Sequence, residues 1–140
     1  MTLSAKNLTV GDTYKEVVVD NLTRTQLVMY AGASGDYNPL HTDEIYTTQK
    51  AGYPTVFAHG MLTMGLTGKM LTNYVGDGNL TKFGVRFTNQ VWPGDTLTAT
   101  ANVKKIQITE EHLLVELEVK TFNQEGEIVV NGYATAAIDP

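Results

Sequence analysis

The chain of 140 residues has no cysteine. Disulfides, thiolate metal sites and a cysteine nucleophile are therefore excluded. It also lacks a basic excess: 10 lysines and arginines stand against 15 aspartates and glutamates, a net charge of −5. Nucleic acid is gripped by basic stripes, so it is not an expected partner. A small anionic ligand needs only a local patch and stays open. No apolar run approaches the length of a membrane span, and Met1 to Val10 hold no apolar core of signal-peptide length. No membrane is expected, and cytoplasm is the expected compartment. There the Asn-x-Thr triplets at Asn7, Asn21 and Asn79 are chance matches, not glycosylation acceptors. No Gly-x-Ser-x-Gly elbow surrounds Ser34, which argues against a serine hydrolase.

What is present is ordinary for a folded protein: 42% hydrophobic and 18% charged residues. The length fits one domain over residues 1–140, burying roughly two-thirds of its unfolded surface. Val17-Val18-Val19 marks a strand over Tyr14 to Asp20. Thr23 with Gln26 three residues on is a capping-box pattern, opening a helix that stops before Gly35. A short helix is expected over Thr42 to Lys50, closed by Gly52. Gly60 to Val75 is the longest helical run, apolar most of the way round, and so expected to be buried. From Leu80 the period changes to that of strands, over 81–89, 96–108, 112–123 and 127–138. One strand, a central helix and a four-strand antiparallel meander predict an α+β fold, an antiparallel sheet curled around a helix.

The chemistry is concentrated in Gly35-Asp36-Tyr37-Asn38-Pro39-Leu40-His41, followed by Ala58-His59-Gly60-Met61-Leu62. Pro39 prevents one continuous helix from Asp36 to His41. A carboxylate and an imidazole on a constrained loop can share one water, which is general acid–base work. Asn38 can hold either side chain or a substrate carbonyl. The start of the Gly60 helix offers unpaired N–H groups to a developing enolate oxygen, and Gly60 admits a ligand close to the backbone. Together these parts suit addition or removal of water beside an activated carbonyl. Each also has a plainer reading. Asp-x-Asn-Pro is a common turn, His41 can be a satisfied structural histidine, and His59 can cap or pack. The methionines of the central helix are core before they are pocket wall. His112 and Arg86 read as surface. Asp36, His41, Asp43 and His59 follow no ligand spacing, so no metal and no other cofactor is expected.

Tyr30 to His41 resembles the hydratase-2 signature of the MaoC-like (R)-specific enoyl-CoA hydratases. Ala58 to Thr63 resembles that family's helix entry; Val85-Arg86-Phe87 and Val91 to Leu97 resemble its later strand and turn. The resemblance runs from about residue 10 to the C-terminus. It implies a hot-dog fold, a homodimer made by joining two sheets, and syn addition of water to a trans-2-enoyl thioester of CoA or acyl-carrier protein. By carry-over Asp36 and His41 activate the water and deliver the proton. Asn38 orients them, and the Gly60 amide binds the thioester oxygen. Gly65, where some relatives carry a small hydroxyl residue, would border the acyl chain. Competing readings are one subunit of a heteromeric 3-hydroxyacyl-thioester dehydratase, a hot-dog thioesterase and a non-catalytic acyl-binding module.

Overall fold

The computed structural model describes residues 2–140; Met1, the first residue of the expected domain, lies outside the described residues. In chain order the main elements are β1 (Thr13–Val19), α1 (Arg24–Ser34), α2 (Gly60–Val75), β2 (Leu80–Phe87), β3 (Leu97–Ile108), β4 (Leu113–Phe122) and β5 (Ile128–Ile138). The expected capping box opens α1. Thr23 Oγ1 accepts from the Gln26 N–H at 3.1 Å, and Gln26 Oε1 accepts from the Thr23 N–H at 2.9 Å. Gly35 ends the helix in the left-handed region at φ 74°, with its N–H donated to the Ala31 carbonyl. The Asp36 loop therefore begins where α1 stops. Between 42 and 50 the expected short helix is a single turn that widens to π geometry over Tyr46–Lys50.

The sheet runs β1-β3-β4-β5-β2, with every pair antiparallel. This corrects the expected four-strand meander. Only β3, β4 and β5 follow one another. β2 pairs with β5 at one edge because β1 already occupies the free side of β3. Residues 88–96 carry the chain across the end of the sheet between them.

Helix α2 lies against the face of this sheet. Met70, Leu71, Tyr74 and Val75 pack on Ala99, Ala101, Val103, Val115, Leu117, Val119, Ala134 and Ala136. The alanines let the helix approach the strands closely. Thr67 Oγ1, buried there, bonds the Thr63 carbonyl and Thr121 Oγ1, so these two hydroxyls are paired. Burial is one-sided, however. Met61, Gly65, Lys69 and Asn73 form an exposed stripe, with Met61 at 55%, so the helix expected to be buried is covered on its sheet side and open on the other. A second core joins Leu27 of α1 to Val56, Ala58, Val91, Leu97 and Val129, and the Asp36 loop and the head of α2 stand on it.

Two glycines test this packing in opposite directions. A Cβ on Gly132 of β5 would meet the Gly84 carbonyl oxygen and Val85 Cα of β2, backbone that cannot swing aside. Gly32, exposed in α1, has nothing within 4 Å of its would-be Cβ. Gly132→Ala should lower stability by roughly 1–3 kcal/mol. Gly32→Ala should raise it by about 0.5–1 kcal/mol. Urea denaturation of both variants checks the pair, and a tolerated Gly132→Ala would contradict the β2–β5 register.

Candidate active site

The loop after α1 is built from side chains that bond their own backbone. Asp36 Oδ1 accepts from the Asn38 N–H at 3.2 Å, and Asn38 Oδ1 from the Leu40 N–H at 3.1 Å. Pro39 opens the 3₁₀ turn Pro39–His41 that Asn38 caps. Asn38 thus shapes the loop, its side-chain oxygen taken up by the Leu40 N–H. Two bonds then tie the loop to the segment ahead of α2. The Phe57 N–H donates to the Leu40 carbonyl at 3.2 Å, and His41 Nδ1 lies 2.7 Å from the Phe57 carbonyl. From the other side the Ala58 N–H donates to the Val91 carbonyl at 2.8 Å. Farther out, Thr55 Oγ1 donates to Glu44 at 2.8 Å and accepts from Arg24 at 2.7 Å, fastening the same segment to α1. The Thr55 hydroxyl, and then the Val56 N–H and Arg24, hold the Glu44 carboxyl below its usual range against some desolvation.

A carbonyl only accepts, so His41 carries its proton on Nδ1 and leaves the Nε2 lone pair open. Burial holds its pKa below the ordinary 6.5. The Phe57 carbonyl works against that, the His59 ring adds to it, and Asp36 opposes it, in falling order. His59 is 2% exposed and stacks on His41 with ring centroids 3.8 Å apart. Its Nε2 is 2.9 Å from the Asp36 carbonyl oxygen and 4.0 Å from Asp36 Oδ2. Asp36, His41 and His59 each bring one donor atom within 4.8 Å of the others, the one such cluster among the described residues. The His59 nitrogen nearest the carboxylate already donates to a carbonyl. The cluster as it stands is arranged for protons.

Gly60 opens α2, and the N–H groups of Gly60 and Met61 have no acceptor among the described residues. A cleft of about 280 Å³ lies at this end, lined by Phe57, Ala58, Gly60, Thr63, Phe87 and the 88–91 segment. Asp36 and His41 do not line it, but His41 meets the cleft residue Phe57 edge to face at 5.4 Å. Of the residues singled out in the sequence, Asp36, His41 and the loop-shaping Asn38 come together beside Gly60. Gly65 does not. It sits on the exposed stripe with nothing within 4 Å of a Cβ, so in the single chain it borders no closed volume.

Residues 5–124 match the family described as MaoC like domain. The chain belongs to that family. A relative named (R)-specific enoyl-CoA hydratase, from Rhodospirillum rubrum, is 32% identical over 123 residues, 84% of this chain and 80% of that protein. The 3-hydroxyacyl-thioester dehydratase Y of Mycobacterium tuberculosis is 39% identical over 90 residues, 62% of this chain. This chain spans only 31% of that relative's length. Among solved structures, the unliganded R-hydratase PhaJ1 from Pseudomonas aeruginosa superposes with a TM-score of 0.84 at 27% identity, over 99% of this chain and 88% of that one. The sheet wrapped on α2 is the hot-dog fold.

In this MaoC-like domain three groups at the site escaped the sequence reading: His59 as more than a cap, and the rings of Phe57 and Phe87. A signal for His59 was present, because it occupies an N-cap position where a short polar side chain is usual. Phe87 gave none; its ring lies over Gly60, 3.0 Å from where a Cβ would stand. Gly60→Ala should therefore impair both packing and any ligand approaching that amide. Adding Phe87→Ala relieves only the packing. The double variant should recover thermal stability yet stay at least ~10-fold below the Phe87→Ala single variant in turnover. Full recovery of turnover would show that Gly60 serves Phe87 alone.

Proposed function

We propose that this chain adds water to a trans-2-enoyl thioester, giving an (R)-3-hydroxyacyl thioester, or runs the reverse dehydration. One observation carries the reading: an uncharged His41 with an open Nε2 stands beside the Asp36 carboxylate and next to the free N–H groups of α2. The names of the relatives, a hydratase and a dehydratase, support the same chemistry.

In the hydration direction His41 Nε2 takes one proton of a water whose other proton is held by the Asp36 carboxylate. The water oxygen bonds C3, and the C2–C3 π pair moves through the carbonyl carbon onto the thioester oxygen. The Gly60 N–H meets that oxygen as charge develops, where a single donor is worth roughly 2.7–4 kcal/mol. The imidazolium then returns its proton to C2 on the face the water used, which makes the addition syn. Positioned acid–base groups of this kind supply about 10²–10⁴ in rate.

The exposed stripe of α2 and the open edge of β2, with Phe87 at 50% exposure, are the faces a second copy would cover. We place the acyl chain between them, with Gly65 on its path. A monomer in sedimentation velocity would remove that wall and the role of Gly65 with it.

The test is product analysis with crotonyl-CoA. A 3-hydroxybutyryl thioester of R configuration is expected, with no free CoA; release of CoA would point to a thioesterase. The pH profile adds a second check. Neutral His41 is the competent base, so activity falls as pH drops through its pKa. Burial has moved that pKa down, so the acid limb of kcat/KM should lie below pH 6.5. A limb above that value would contradict His41 as the base.

A further inference from the structure

His59 has no part in the steps above, yet it is buried at the site, 2% exposed. It stands at the N-cap of α2 and caps nothing: no side-chain bond reaches the first-turn N–H groups. Its Nδ1 is buried without a hydrogen-bond partner among the described residues. A leucine or phenylalanine would fill the space without that orphaned atom, so packing does not explain a histidine here. What an apolar side chain cannot supply is the Nε2–H, which reaches back 23 residues to the Asp36 carbonyl oxygen at 2.9 Å. The ring itself lies on His41 at 3.8 Å and 25°, with its other contact an edge to Tyr30 of α1 at 4.9 Å.

We propose that His59 is a positioning residue with two separable effects: its Nε2–H holds the backbone of Asp36, and its ring face keeps water off the His41 imidazole. The groups facing His41 are Asp36 on its own loop, the Phe57 ring and carbonyl on the preceding segment, and His59 at the head of α2. Tyr30 meets only the far partner of that stack. Among these, His59 is the group whose ring lies face to face with the imidazole. The lowered pKa of His41, caused first by burial, agrees with such a cover; the charge that His59 would carry when protonated lowers it separately.

The activity arm of the test rests on the proposed hydration; the titration arm does not. His59→Ala and His59→Gln are made in the full chain, and the His41 imidazole is titrated by NMR through its Cε1–H resonance. In both variants the His41 midpoint should rise, because the stacked ring is gone. Plateau kcat on crotonyl-CoA should fall about 10- to 100-fold in His59→Ala, as the Asp36 loop loses its anchor. It should recover to within a few-fold in His59→Gln, whose amide still offers an N–H to the Asp36 carbonyl. If His59→Ala fails to fold, the His59→Gln titration decides alone. An unchanged His41 midpoint in a folded variant overturns the cover. A plateau kcat unchanged in folded His59→Ala overturns the anchor. A midpoint that rises in a protein with no turnover on any enoyl thioester would uphold the cover while removing the proposed reaction.

Discussion

Two hydrogen bonds between residues 40–41 and Phe57 hold the site together, and the remaining geometry depends on them. The Leu40 carbonyl takes the Phe57 N–H, and the Phe57 carbonyl takes His41 Nδ1–H, so loop and segment are clasped in both directions. Each bond contributes about 0.5–1.5 kcal/mol net. Fixing one residue's backbone costs about 1–2 kcal/mol, so two bonds cannot order a six-residue loop by themselves. The rest comes from what the loop does locally. Pro39 has one dihedral set in advance, and the Asp36 and Asn38 side chains satisfy N–H groups that a disordered loop would leave to water.

The clasp also decides the chemistry available to His41. By taking the Nδ1 proton, the Phe57 carbonyl assigns the tautomer, and the open lone pair falls on Nε2. The same bond favours a charged ring, but burial outweighs it and the pKa moves down. The outcome is an imidazole shifted toward its uncharged form beside a carboxylate left half in solvent, at 55% side-chain exposure. The two groups differ in environment, and in the proposed reaction that difference would separate their roles.

Much of this was legible because it is local. Thr23 and Gln26 lie three apart, Gly35 follows the last turn of α1, and Gly60 opens α2; each is a signal read within one helical turn. The loop motif was legible for the same reason. Placements decided by distant partners were not. That β2 pairs with β5 follows from β1 filling the free side of β3, through pairings such as Thr13 with Asn102 that lie far apart in the chain. The apolar periodicity of α2 could not show that Met61 and Gly65 face outward, since the sheet covers one side only. His59 was visible as a residue but not as a contact, because its target lies 23 residues upstream.

The central claim is that Asp36 and His41 act on one water as a unit. A double-mutant cycle on kcat with Asp36→Asn, His41→Gln and both together tests it most directly, each variant first shown to be folded. The account predicts that each single variant loses at least ~10² and that the double is little worse than the poorer single. Losses that multiply in the double variant, or a single variant with near-normal turnover, would contradict it.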